Sequence, residues 1–314
     1  MILNSGSSSI ILNGVPGRQF KCKRGVRQGD SLSPLLFVLA AELLQFVVND
    51  ALIKGHLKLP IAQPSSDFPI VQYADDTLLI MEADVNQLVH LKGLLDIFAL
   101  STGLTVNYSK SSMYPINVHP DRLAVLATAF GCSTGSMPFT YLGLPMGTTK
   151  PKMEDLTPLM DRIERRLNAC SSMLSYSGRL EMINSAITLI TTYTMCTIKL
   201  PAGVIENIDR IRKQCLWRGN DRTKKVVVLQ LGPMVMKQKL KGGLGVINLR
   251  LQNDALLLKQ LHKFYSKRDI PWVLLVWSKY YANGKVPHGT KELGSFWWKK
   301  LLRLSVFYRG IARC

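Results

Sequence analysis

Two adjacent carboxylates, Asp75 and Asp76, interrupt an apolar stretch that runs Phe68-Pro-Ile-Val-Gln-Tyr-Ala-Asp-Asp-Thr-Leu-Leu-Ile-Met81. No other feature limits the local fold so tightly. Apolar runs this short (68–73 and 77–81), broken by turn-forming residues, pattern as a β-hairpin whose tight connection carries the acids. Strands that bury one face fix the acids at the hairpin tip, where a hard, oxygen-seeking cation such as Mg²⁺ can be gripped. By itself an Asp-Asp turn equally serves an ordinary surface bend, because Asp bonds its own backbone there. The surroundings have to decide.

Upstream, Asn13-Gly14 separates Ile10–Leu12 from the run beginning at Phe20, the pattern of a hairpin connection. Residues 18–27 hold five basic side chains and no acid, and no Asp or Glu occurs before Asp30. The Gly25-Val-Arg-Gln-Gly-Asp30 loop then feeds Ser31-Leu-Ser-Pro34 and a long apolar run. Ser33 is placed to cap and Pro34 suits a first helical turn, so the spacing predicts a helix from about 32 to 53. Its first half is apolar nearly all round, which predicts a buried helix. A basic, Gly-containing loop at a helix N-terminus is a phosphate or template cradle in outline.

After the acidic stretch, Asp84-Val-Asn-Gln87 patterns as a capping box opening a helix that Gly103 ends. Leu104–Tyr108 reads as a strand delivering Ser109-Lys110-Ser111, a short helix covers about 120–130, and Phe139–Gly147 is a tight hairpin or bent strand. From about 152 to 217 the chain reads as helices over 152–172, 178–195 and 201–217, broken at Ser177-Gly178 and Pro201. A Gly-rich turn at Lys241–Gly245, a helix at about 251–266 and a Trp/Lys-rich tail follow.

Charge divides unevenly along this order. The 314 residues carry a formal charge of +19, of which residues 199–314 supply +18 and residues 1–198 only +1. A polyanion, nucleic acid before an anionic membrane, is the partner that such asymmetry suggests. All five tryptophans lie in the basic part, where they suit either stacking on bases or a small helical core under a basic coat. The six cysteines are scattered without a Cys-x-x-Cys pair, and the five histidines form no ligand spacing with them. That predicts neither zinc site nor disulfide framework, and a nuclear or cytoplasmic location rather than a secreted one. The N-terminus lacks signal-peptide regions, and the most membrane-like stretch, about 183–200, is too rich in Thr, Ser and Asn to span.

Four blocks in order resemble the reverse transcriptase of plant-type non-LTR (LINE-like) retrotransposons: Arg24-Gly-Val-Arg-Gln-Gly-Asp-Ser-Leu-Ser-Pro-Leu-Leu-Phe37, Gln72-Tyr-Ala-Asp-Asp-Thr77, Ser101-Thr-Gly-Leu-Thr-Val-Asn-Tyr-Ser-Lys-Ser111, and Tyr141-Leu-Gly-Leu-Pro-Met-Gly147. Cys215-Leu-Trp-Arg-Gly219 and Gly242-Gly-Leu-Gly-Val-Ile-Asn-Leu249 are similar to the region beyond the palm in these elements. The resemblance implies an α+β fold: a truncated polymerase palm over residues 1–150, a helical, thumb-like region over 151–235, and a basic Trp-rich region over 236–314. It implies Asp75 as the principal metal-binding carboxylate with Asp76 beside it, and Lys110 as the proton donor to departing pyrophosphate. Tyr73 would lie beneath the incoming nucleotide, Gln28 and Gly29 with Arg24 and Arg27 would contact nucleotide and template, and Tyr141, Leu142 and Gly143 would position the primer. The implied cofactor is Mg²⁺ or Mn²⁺. The implied partners are an RNA template and RNA–DNA hybrid, held by residues 199–314, with further element-encoded domains upstream and no membrane.

One departure accompanies the resemblance. The family takes another metal-binding Asp from a strand before the Arg-Gln-Gly loop, and residues 1–29 contain no acid. The expectation is therefore a fragment without that strand or the fingers, inactive alone. The alternatives are a remnant that binds RNA or RNA–DNA hybrid without chemistry, or a decayed element.

Overall fold

The computed structural model describes residues 6–22, 25–26, 28–61, 70–170, 174–218, 233–281, 284 and 294–311. It is a mixed α+β chain in two compact units, Met1–Gly135 and Ser136–Cys314. Helices dominate, and every sheet among the described residues is two-stranded.

The first unit opens with a hairpin. β1 (Ser7–Ser8) pairs with β4 (Phe20–Lys21), and β2 (Ile11–Leu12) pairs with β3 (Val15–Pro16). Asn13 and Gly14 connect the inner pair with φ of +52° and +84°. Positive φ at both central positions is what a type I′ turn demands, and Asn-Gly tolerates it best. Helix α1 spans Ser33–Ile53 with Pro34 in its first turn. Ser33 is the first helical residue rather than the cap, and it is Asp30 Oδ1 that accepts the Leu32 N–H, at 3.0 Å.

The burial expected of α1 is overturned. Only Leu44, Val48 and Ala51 are buried, whereas Leu39 is 62% and Phe46 73% exposed. An all-round apolar composition records affinity for burial, but coverage needs neighbours. Here α2 (Val85–Thr102) packs on one side of the helix, and no described residue covers the opposite apolar face. The 21-residue helix is also long and apolar enough to cross a membrane, a property that residues 183–200 had been expected to approach most nearly.

α2 follows its local code. The Asp84 carboxylate accepts from the Gln87 N–H, and Gly103 closes the helix at φ +78°. Gln87 does not reach back to complete a capping box. Its oxygen accepts from the Lys58 N–H at 2.9 Å, tying in the chain beyond α1. Leu91, Leu95 and Phe98 of α2 meet Leu44, Val48, Ala51 and Leu57 in the core of this unit. The strand expected at 104–108 does not form. Leu104 and Val106 do turn toward that core, but with no ladder partner the chain stays extended and then coils into a 3₁₀ turn, Tyr108–Lys110. β7 (Ser112–Met113), α3 (Pro120–Phe130) and β8 (Ser133–Thr134) complete the unit, with β7 and β8 parallel.

The second unit begins with a hairpin, β9 (Phe139–Tyr141) and β10 (Leu144–Met146), and continues as helices. α4 covers Thr157–Cys170, α5 Tyr176–Met182, α6 Thr188–Thr197 and α7 Ala202–Arg218. The break expected at Ser177-Gly178 is absent: the Ser175 hydroxyl caps α5 by accepting the Gly178 N–H, which places both residues inside its first turn. A π-helical segment, Ile183–Ile187, joins α5 to α6 without interruption. Further on lie α8 (Pro233–Met236), α9 (Leu249–Tyr265), α10 (Pro271–Tyr280), α11 (Phe296–Arg303) and α12 (Ser305–Ile311).

Two buried polar residues hold this helical unit together. Asn253 of α9 donates to the carbonyls of Met195 and Ile198 and accepts from the Leu200 N–H, satisfying the backbone where α6 ends. Arg212 of α7 donates to Asp209 Oδ1 at 3.0 Å and to the Ile247 carbonyl at 2.9 Å. Burial lowers the pKa of Arg212, opposed by Asp209, and burial raises that of Asp209, opposed by Arg212. For both partners desolvation outweighs attraction, so this pair specifies an arrangement more than it adds stability. The tryptophans of the tail serve a core: Phe264 stacks on Trp277 at 4.8 Å and meets Trp298 at 4.6 Å. Trp298 is buried, and so is unavailable to a base.

Candidate active site

β5 (Ile70–Tyr73) and β6 (Asp76–Leu79) form the antiparallel hairpin that the acid pair predicts, with Tyr73 opposite Asp76 and Gln72 opposite Thr77. The preceding residues 62–69, including Phe68, lie outside the described residues. Only Ala74 and Asp75 occupy the turn. Ala74 takes φ +52°, which costs a residue bearing a Cβ about 1–2 kcal/mol. That turn makes Asp75 and Asp76 sequence neighbours at the exposed tip, with Tyr73 exposed beside them.

The hairpin is anchored from below. Ile70 and Leu79 pack against the core shared by α1 and α2. Gln72 Nε2 donates to the Ala41 carbonyl of α1 at 3.2 Å. An open concavity of roughly 390 Å³, lined by Val38, Glu42, Gln45, Gln72 and Ala74, runs along α1 at this point. Both outer edges of the two-stranded hairpin lack a ladder partner among the described residues. Nothing in the motif set marked Gln72 for a role, although its place facing α1 follows from strand alternation.

Lys110 belongs to the same unit but not to the hairpin. Its backbone is clamped: Asn107 Oδ1 accepts from the Lys110 N–H at 3.2 Å and from the Ser109 hydroxyl at 2.7 Å. The neighbouring Tyr108 ring meets Phe130 edge-on at 5.4 Å and lies under Lys92 Nζ at 5.2 Å. The Lys110 side chain is exposed and makes no ion pair with Asp75 or Asp76 among the described residues. Gln28 and Gly29 form an exposed turn just before α1, with Gly29 at φ +84°. Arg24 and Arg27 fall outside the described residues. Tyr141, Leu142 and Gly143 lie in the second unit, where Leu142 and Gly143 form the β9–β10 turn at φ +49° and +75°. The Tyr193 hydroxyl of α6 donates to the Leu142 carbonyl at 3.0 Å and holds that turn in place.

Two carboxylates beside each other suit one Mg²⁺, which keeps several waters and needs only one or two protein oxygens. They do not suit a pair of divalent ions, whose four positive charges call for acids from more than one strand. Among the described residues no group of three or more His, Cys, Asp or Glu is placed to hold a metal.

Residues 2–146 match the reverse transcriptase (RNA-dependent DNA polymerase) family. The chain is similar to an uncharacterized 149 kDa protein of transposon TX1 from Xenopus laevis, 27% identical over 263 residues that make up 82% of this chain and 19% of that protein. It is also similar to a retrovirus-related Pol polyprotein from the type-1 retrotransposable element R2 of Popillia japonica, 23% identical over 276 residues, 83% of this chain and 42% of that protein. An uncharacterized mitochondrial protein of Arabidopsis thaliana is 40% identical over 70 residues, 21% of this chain and 56% of that one. The chain thus spans between about a fifth and just over half the length of these curated relatives. Two of the alignments are longer than the family match, so the likeness continues into the helical unit. Residues 2–146 are thus similar to the reverse transcriptase family, and the chain as a whole is similar to proteins of retrotransposable elements.

Proposed function

We propose that this chain is a palm-and-thumb portion of a retrotransposon reverse transcriptase, ancestrally competent in RNA-templated nucleotidyl transfer, that does not complete the reaction by itself. The observation that carries the proposal is the hairpin tip, where Asp75 and Asp76 stand exposed with no third acid grouped beside them among the described residues. In this reading Asp75 is the main metal ligand and Asp76 its neighbour. Tyr73, on the flanking strand, supports the nucleotide, and Gln28 and Gly29, with Arg24 and Arg27, meet nucleotide and template. Lys110 delivers a proton toward pyrophosphate, and Tyr141–Gly143 present the primer end. A divalent ion held by Asp75 and Asp76 would supply neutralisation of charge on the nucleotide's phosphates and polarisation of an oxygen bound to it. A strand bearing a further Asp, from an adjoining segment or a separate polypeptide, is what the two acids require.

Primer extension on an RNA template with Mg²⁺ or Mn²⁺ tests this. The expected result is no templated product from the 314-residue chain. Templated synthesis that Asp75→Asn abolishes would overturn the inactivity.

A second reading, a module that holds RNA or RNA–DNA hybrid without chemistry, is favoured by the charge of +18 over residues 199–314. It expects log affinity to fall steeply with log salt. Salt-insensitive binding would count against it.

A further inference from the structure

We infer that Leu240 is a wedge that enters between stacked base pairs of a nucleic-acid duplex, while Lys239 and Lys241 seat on the backbone to either side. The inference rests on the nucleic-acid reading above and goes beyond it by naming the side chain that meets the bases.

Leu240 is 99% exposed, more than any other large apolar side chain among the described residues. It sits midway in a 3₁₀ turn, Lys239–Lys241, between α8 and α9. At about three residues per turn, consecutive side chains diverge by about 120°, so the two lysines splay to either side of the leucine. Lys237, Lys239 and Lys241 are exposed, and none has an ion-pair partner among the described residues. No Asp or Glu occurs anywhere from residue 222 to residue 253.

The loop that carries this tip is pinched shut at its base. The Val246 N–H donates to the Val235 carbonyl at 3.3 Å, the Gly245 N–H to the Lys237 carbonyl at 2.9 Å, and the Gly243 N–H to the Gln238 carbonyl at 3.2 Å. Gly243 passes so close to the opposite limb that a Cβ there would overlap the Lys237 carbonyl, so the closure requires glycine. Gly242 ends the turn at φ +78°, a second position that favours glycine. Val235 and Leu244 pack against the core of the second unit, and Val246 and Leu249 are buried in it. The tip is therefore held out on a short, fixed arm. None of the hydrogen bonds or glycines that shape this arm uses the Leu240 side chain.

The arrangement selects a partner. A protein surface or a lipid bilayer is met by a contiguous apolar patch, and Lys237–Gly243 offers one apolar side chain among cations, an amide and glycines. A base step has room for one. Proteins that kink a duplex insert an apolar wedge such as Leu between base steps, and cations on the phosphates hold the protein in register. Bases opened in this way offer apolar faces to Leu240, and the phosphates beside the opened step offer the negative charge that Lys239 and Lys241 lack in the free chain. Because almost none of the leucine is covered beforehand, nearly its whole surface is available to offset the unstacking.

The test uses the full chain and an RNA–DNA hybrid carrying 2-aminopurine, which brightens on losing its stacking, at one interior position of the DNA strand in each of a set of duplexes. At saturating protein, emission is expected to rise at least about twofold at one or two adjacent positions. Leu240→Ser is expected to abolish the rise and Leu240→Met to keep it, with thermal unfolding of both variants unchanged because the side chain covers nothing. Lys239→Gln together with Lys241→Gln is expected to weaken binding in fluorescence anisotropy and to lower the log–log salt slope by about two units, one for each phosphate. No rise at any position with the unaltered chain bound, or a rise that Leu240→Ser keeps, overturns the wedge and leaves nucleic-acid binding intact. If that variant instead loses binding to anionic phospholipid vesicles, a membrane is the partner. An unchanged salt slope in the double lysine variant overturns the seating of the lysines on the backbone. Failure of the unaltered chain to bind hybrid at all overturns the nucleic-acid reading and the wedge with it.

Discussion

Gln72 and Ala41 join the acid-bearing hairpin to helix α1 through one side chain, Gln72 Nε2 donating to the Ala41 carbonyl at 3.2 Å. Strand β5 thereby rests on a rigid rod, and the tip two residues beyond Gln72 inherits that rigidity.

Replacing Gln72 by Leu keeps the bulk and removes the tether. We expect a loss of about 1 kcal/mol, the net worth of one such bond. The effect should concentrate in the hairpin, with faster amide exchange at Val71 and Leu78 and unchanged exchange in α2. Uniform acceleration through the first unit would mean that Gln72 is a general packing residue instead.

Ala74 carries φ +52° in a two-residue turn. Ala74→Val should destabilise the hairpin by about 1 kcal/mol or more, since a β-branched side chain is worse there than a methyl. Ala74→Gly should be close to neutral, the gain in turn geometry offsetting the entropy of the unfolded chain. Exchange at the Asp76 amide, which faces Tyr73 across the turn, reads both, and a Val variant as protected as the native chain would contradict this turn geometry.

Asn253 satisfies three backbone groups at once. Asn253→Leu leaves two carbonyls and one N–H buried without it, and should cost on the order of 3 kcal/mol. Thermal unfolding of the full chain, followed by tryptophan fluorescence from the second unit, checks this. A melting curve superimposable on the native one would show that another group takes over.

Cys215 is buried, and burial pushes its thiol up from 9.0 to about 11 against the opposing charge of Arg179. The unfolded thiol ionises first as pH rises. The stability linked to this group is complete below about pH 9 and falls away as pH climbs to about 11. Cys215→Val should flatten that part of the stability curve. At neutral pH, iodoacetamide should label exposed Cys22 well before Cys215, and equal rates would refute the burial.

Where a residue type dictates its own backbone, the chain was legible. Asn13-Gly14, Asp84 and Gly103 lie where their chemistry requires, and so does the turn between β5 and β6. The positive φ of Ala74 and Leu142 left no such mark, because neither residue favours it and the ladders on either side impose it. Nor could composition reveal that α1 is bare on one face, since apolar residues report what a helix would bury rather than what arrives to cover it. Leu104–Tyr108 misled for the related reason that alternation makes a chain extended and only a neighbour makes it a strand. Of the candidate site, the two acids and their hairpin could be read in advance. The Gln72 anchor and the coiled seat of Lys110 depend on contacts between distant segments.

The π-helical segment Ile183–Ile187 puts an extra residue into what would otherwise be one uniform helix. α5 before it lies against α7, and α6 after it lies against α9, with Thr191, Thr194 and Met195 turned inward. Deleting a single residue there would let α5 run into α6 at about 3.6 residues per turn while the side chains on either side kept their faces. The same deletion made within Thr188–Thr192, where no wide turn absorbs it, would turn the later side chains of α6 by about 100° and carry the Tyr193 hydroxyl away from Leu142. The wide turn is thus the one place along this rod where a lost codon leaves the reading frame and the packed faces both intact.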